Sequence, residues 1–227
     1  MGEFVAVSGV IGASSSEVQA ALKGFAEAEG GGSEMLAEGV PYEDPSIGVI
    51  TLEGANTSVL YPEEFSEFDK ASKYLSTSLS KPVFSFHIHD GDLWMYTLFD
   101  SGREIDHFNP LPDYWGNVSA SEREKWRGDA SVVAKVVPGV SVDVVGKYLV
   151  AWDVEQMDGA KAYPDDEFAI GDCWQMSDFM RKVGLQIPMD IRGEVLGAVF
   201  RFSGGLYEPA AMLPITEQRQ KPWWKFW

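Results

Sequence analysis

Cysteine is almost missing from this chain: 227 residues hold a single one, Cys173. One thiol cannot close an internal disulfide, and it excludes a cysteine-rich zinc site. A reducing compartment is the expectation, and we read the chain as cytoplasmic. Long apolar runs are missing too. Nothing approaches the roughly 18 consecutive apolar residues of a membrane span, and MGEFVAVSGV lacks the basic and apolar regions of a signal peptide. Positive charge is scarce, with 18 Lys+Arg against 35 Asp+Glu and a formal net charge of −17. Neutralising phosphates needs a Lys/Arg surface, so nucleic acid is not expected as the main partner. Catalytic signatures are missing as well: there is no GxSxG, no P-loop and no GxGxxG after a strand. No cofactor is expected.

What is present is apolar mass. The chain is 45% hydrophobic and 13% aromatic, which supplies a packed core and argues against disorder. Residues 3–10, EFVAVSGV, alternate as a strand. Ser14 and Glu17 form a capping box, behind which Val18, Ala21, Leu22, Phe25 and Ala26 recur at helical spacing until Gly30–Gly32 stop the helix. Val49–Tyr61 reads as two strands around a turn at Gly54–Asn56. Pro62 suits the first position of a second helix, with Glu63 and Glu64 in its first turn and Phe65, Phe68, Ser72, Leu75 and Leu79 on one stripe. Pro82 closes it.

The next stretch, FSFHIHDGDLWMYTLFDSGREIDHFNP, carries all three histidines of the chain. We read 83–109 as a three-strand meander, because Asp90-Gly91 and Ser101-Gly102 are two-residue hairpin signals. Tight turns at both would set His89 opposite Asp92, His87 opposite Trp94, and Tyr96 opposite both Ser85 and His107. With side chains alternating between faces, Phe84, Phe86, Ile88, Leu93, Met95, Phe99 and Phe108 would then form a core face. His87, His89, Trp94, Tyr96 and His107 would share the other face with Ser85, Asp92, Ile105 and Asn109. Such a polar, aromatic surface has the composition of a binding face. One slip at the first turn would move the middle strand's residues across the sheet.

Residues 1–112 thus form an α+β region, a mainly antiparallel sheet with helices on one face. Residues 113–207 read as mostly helical and as packed on the first region in one compound domain. Their signals are a capping box at Ser119 and Glu122 with a helix toward Val137, and a helix from PGVS carrying Val144, Val145, Tyr148 and Leu149. A third follows behind Asp172, with Trp174, Phe179, Met180 and Val183 on its buried side and Gly184-Leu185 as its C-cap. GEVLGAVFRF, 193–202, returns as a strand. Residues 208–227 form a tail that ends in Trp223, Trp224, Phe226 and Trp227, with Arg219, Lys221 and Lys225 among them.

The chemistry on offer is modest. His87 and His89 project from one strand with Asp92 nearby, but His107 lies two strands and about 9–10 Å away, so a metal set would have to take Asp92 or a residue from elsewhere as its third ligand, which is the lesser reading. Cys173 at a helix start reads as a small buried residue, with nucleophile as the lesser reading. Asp165, Asp166 and Glu167 after Pro164 read as a solvated turn. FNPLPDYW leaves the third strand beside the histidines, so Tyr114 and Trp115 either wall a groove there or seal the core between the two regions. The run from Asp90 to Trp115 resembles a DxDxWxYxLF…G…DxFNPxPDYW pattern in bacterial proteins, and that resemblance brings no activity with it.

The function expected is therefore a non-catalytic protein-binding module, such as an adaptor, an immunity-type partner or an assembly component. It would use His87, His89, Trp94, Tyr96, His107, Tyr114 and Trp115, together with Trp223, Trp224 and Trp227 of the tail. The acidic charge suits a basic protein partner. The alternative is a hydrolase, with or without a metal, built on His87, His89 and Asp92.

Overall fold

A computed structural model of the chain describes residues 3–36, 46–52, 54–63, 65–153, 159–189, 194–204 and 206. The fold is α+β, built on one antiparallel sheet of eight strands. The strands are β1 (Val5–Val10), β2 (Gly32–Met35), β3 (Ile47–Thr51), β4 (Thr57–Leu60), β5 (Pro82–His89), β6 (Leu93–Asp100), β7 (Arg103–Phe108) and β8 (Gly197–Ser203), in the spatial order β2-β8-β3-β4-β1-β5-β6-β7. β8 comes from late in the chain yet pairs with both β2 and β3.

α1 (Ser15–Ala28) starts where its capping box predicts. The Ser14 N–H donates to Glu17 Oε2 at 2.8 Å, and the Glu17 N–H donates back to Ser14 Oγ at 3.4 Å. Val18, Ala21, Leu22, Phe25 and Ala26 are all buried. α2 (Phe68–Leu79) begins later than Pro62 suggests. Phe65 instead closes a turn onto the Pro62 carbonyl and buries its ring between Tyr61 at 5.1 Å and Phe202 at 4.9 Å. Burial of one aromatic ring outweighs the local signal for an early helix start. Ser8 Oγ, 2.6 Å from both Tyr61 Oη and Ser72 Oγ, ties β1 to α2 through a buried polar chain.

Helices cover both faces of the sheet, not one. α1 and α2 pack against Val10, Ile50, Val59, Val83, Phe200 and Phe202. The opposite face carries Phe84, Phe86, Trp94, Tyr96 and Phe108, and the second region covers it. Among its described residues that region has four short helices joined by loops, α3 (Ala120–Lys125), α4 (Ala130–Val136), α5 (Val142–Gly146) and α6 (Gln175–Lys182), rather than a mostly helical layer. The single helix expected from Ser119 toward Val137 is broken at Gly128, whose φ of +68° no right-handed helix accommodates. α6 ends in a Schellman motif: the Leu185 N–H donates to the Met180 carbonyl at 2.8 Å, the Gly184 N–H to that of Arg181 at 3.1 Å, and Gly184 has a φ of +73°.

The meander exists, but its register corrects the expected faces. Asp90 and Gly91 make the first turn with φ of +55° and +75°; Asp92 is then an extra loop residue, and His89 pairs with Leu93. Tyr96 therefore faces Phe86 and Trp94 faces Ile88. Both rings lie in the core, 1% and 0% exposed, and neither belongs to the histidine face. Ser101-Gly102 turns as expected, with Asp100 opposite Arg103, but a bulge beyond it sets His107 opposite Thr97 and Phe108 opposite Tyr96.

Candidate histidine–aromatic binding face

His87 and Ser85 lie on the α2 side of the sheet, opposite Met95 and Thr97, and His107 lies opposite Thr97 on the same side. The three histidines thus share a face, but they fall into two separate settings. His87 is tucked under the start of α2, its ring 4.7 Å from Phe68. Burial pushes its imidazole down to about 4, and the neighbouring His89 adds to the effect. His87 is therefore neutral at pH 7. His89 stands in a ring of aromatics, with Phe4 and Trp115 each at 5.0 Å, His87 at 5.5 Å and Tyr114 at 5.7 Å.

His107 belongs to the second setting. Its Nδ1 is 2.6 Å from Glu104 Oε1, and its ring is 4.6 Å from that of Trp126. Trp126 was not among the residues singled out from sequence. It ends α3, a helix that buries none of its own residues, so no apolar periodicity marks it. Its signal was only its place four residues behind Glu122 of the capping box.

The segment after β7 joins the two settings. The Asn109 N–H donates to the Trp126 carbonyl at 2.8 Å, and Asn109 Oδ1 accepts from the Leu111 N–H at 2.8 Å. Tyr114 Oη donates to Asp92 Oδ2 at 2.6 Å, which fixes the extra residue of the first hairpin loop against the segment. That bond holds the proton on the phenol and pushes the Tyr114 hydroxyl up to about 12. Tyr114 and Trp115 thus both reach the His89 ring, and Tyr114 also packs against the buried core cluster. Phe4, Trp115 and Trp126 are 44%, 58% and 37% exposed, which is unusual for rings of this size. Between Trp115 and Trp126 runs a shallow depression of about 340 Å³, floored by Asn109, Pro112 and Val118.

The other candidates are structural. Cys173 is buried, and burial, with Asp172 and Glu3 adding their charge, pushes its thiol up to about 12, the reverse of an activated nucleophile. Asp166 is buried, not solvated as expected of its turn: it accepts from Tyr148 Oη at 2.7 Å and from the Tyr163 N–H at 2.9 Å. Asp178, fully buried, accepts from the Glu167 and Phe168 N–H groups and pairs with Arg181. These carboxylates pin the 163–168 turn to α6. Among the described residues no three His, Cys, Asp or Glu side chains are grouped to hold a metal ion. Nor is any described helix long and apolar enough to cross a membrane. Trp223, Trp224 and Trp227 lie outside the described residues. No protein-family model, curated protein or solved structure matches this chain.

Proposed function

We propose that the protein is a non-catalytic binding module of the adaptor, immunity or assembly kind, acting in the cytoplasm and taking a basic protein partner on its histidine–aromatic face. One observation carries the reading. Three large exposed rings, Phe4, Trp115 and Trp126, gather around His89 and His107 on one side of the sheet. Exposed aromatics grouped on a held backbone are the usual anchors of protein interfaces, because they bury much area and lose little side-chain entropy. The net charge of −17 would speed encounter with a basic surface. The buried free thiol supports a reducing compartment. β8, inserted between β2 and β3, supports residues 1–207 working as one compound domain.

The hydrolytic alternative draws less support. A general base works best when its pKa lies near the operating pH, whereas burial beneath Phe68 lowers the His87 imidazole to about 4 and makes it a weak base, and Asp92 is engaged by Tyr114. The test is capture from native lysate on three immobilised full-length chains: wild type, Trp115→Ala/Trp126→Ala and His87→Ala/His89→Ala, each checked for an unchanged melting curve. The expected result is one specific basic protein on the wild type, at least tenfold depleted on the tryptophan variant and released by salt. Equal capture by the tryptophan variant would remove this face from the reading.

A further inference from the structure

The last stretch of the sequence joins aromatic rings to positive charge. Residues 218–227, QRQKPWWKFW, hold three tryptophans and one phenylalanine with Arg219, Lys221 and Lys225, and no acid. Each ring left in water forgoes the burial of roughly 150–250 Å². We infer that this segment occupies the Phe4–His89–Trp115–Trp126 face of its own chain in the unpartnered protein, as an intramolecular ligand that a partner must displace.

The inference rests on the binding-face reading and adds its resting occupant. Three observations support it. The first is direction. The end of β8 lies beside the start of β3, since Arg201 pairs with Ile47, and Val49 pairs with Leu60 near the end of β4. Leu60 pairs with Val7 of β1, and Val5 pairs with Ile88 near the end of β5. The chain therefore leaves β8 at the same end of the sheet that carries Phe4 and His89. Leu206 also packs with the α1 and α2 cluster, on the side of the sheet where the histidines lie.

The second is reach. β8 and β7 are six places apart in the strand order, or about 29 Å at ~4.8 Å per strand. Trp223 lies 17 positions beyond Leu206, and a linker of that length would span about 23 Å on average if it were a random coil and about 55 Å fully extended. The linker matches the gap, which is where the effective concentration of a tethered ligand peaks, at about millimolar.

The third is charge. Asp90 and Asp92 flank Tyr114 on the exposed surface and form no salt bridge among the described residues. They offer counter-charges to Arg219, Lys221 and Lys225, and the exposed rings offer stacking and cation–π partners.

Trypsin reads the docking directly, at Arg219 and Lys225 of the full chain. Cleavage there should be about tenfold slower in the wild type than in Trp115→Ala/Trp126→Ala, and independent of protein concentration. A second set avoids any change to the folded body: in Trp223→Ala/Trp224→Ala/Trp227→Ala, amide exchange across 111–118 should rise by a similar factor. Protection that grows with concentration would overturn the intramolecular form in favour of a second copy as host. Equal cleavage and equal exchange in all chains would overturn docking altogether. The partner reading is scored separately by capture: protected sites with no captured protein would sink that reading and leave the docking intact. Salt-released capture with no protection would do the reverse.

Discussion

His87 shows how far a single environment can move one side chain. Its imidazole titrates near 4 because burial beneath Phe68 and Phe4 removes water from the charged form, and His89 opposes a second positive charge. In the unfolded chain the same ring titrates near about 6.5. Between those values the unfolded state binds the extra proton, so stability falls as pH drops through that window and is fully present above it. A shift of that size corresponds to at most about 3 kcal/mol. Urea titrations at pH 7.5 and 4.5 should show a smaller acid loss in His87→Gln than in the wild type; identical losses would place the acid sensitivity in other groups.

Among the elements, α1 and α3 carry the same capping box but differ in what lies beneath. α1 buries five residues and α3 none. Ser14→Ala should therefore cost about 1 kcal/mol of global stability. Ser119→Ala should leave the global midpoint alone and fray α3 locally, loosening Trp126 from His107. Hydrogen exchange at 120–127 separates the two results. The break between α3 and α4 is equally testable. At Gly128 a Cβ would stand 3.1 Å from Tyr96 Oη and 3.2 Å from Phe108 Cβ, at a φ of +68°. Gly128→Ala should cost about 2 kcal/mol, part from the left-handed backbone and part from crowding. A cost below about half of that would mean the loop adapts.

For the molecule as a whole, the charge of −17 sets opposing trends. Self-repulsion of the body is screened by salt, so the urea midpoint should rise between 20 mM and 0.5 M NaCl, by an amount worth about 1 kcal/mol. Capture of a basic partner should weaken over the same range. A stability that falls with salt would show that the ion pairs, such as Arg123 with Asp113 at 2.6 Å and Lys182 with Asp165 at 3.1 Å, outweigh the repulsion.

The sequence by itself determined the local features of this protein. Both capping boxes, the buried stripe of α1, the glycine stop after α6, the three-strand meander and the strand at 197–203 follow from contacts within a few residues, where propensity and periodicity act. That His87 and His89 share a face was also legible, because alternation along β5 places them together, whereas His107 joins them opposite Thr97 and not opposite Tyr96 as the tight turns predict. Tertiary structure decided the rest. One extra loop residue at Asp92 carried Trp94 and Tyr96 into the core, and one bulge in β7 kept Phe108 beside them, since a period-two pattern turns every residue of a strand over with each single slip. The burial available to Trp94 and Tyr96 outweighed the tighter turn that Asp90-Gly91 alone would favour. Trp126 came to His107 through a helix with no buried stripe of its own, and β8 entered the sheet between strands more than 140 residues earlier in the chain. Such pairings depend on which distant surfaces remain to be covered, and no local pattern records that.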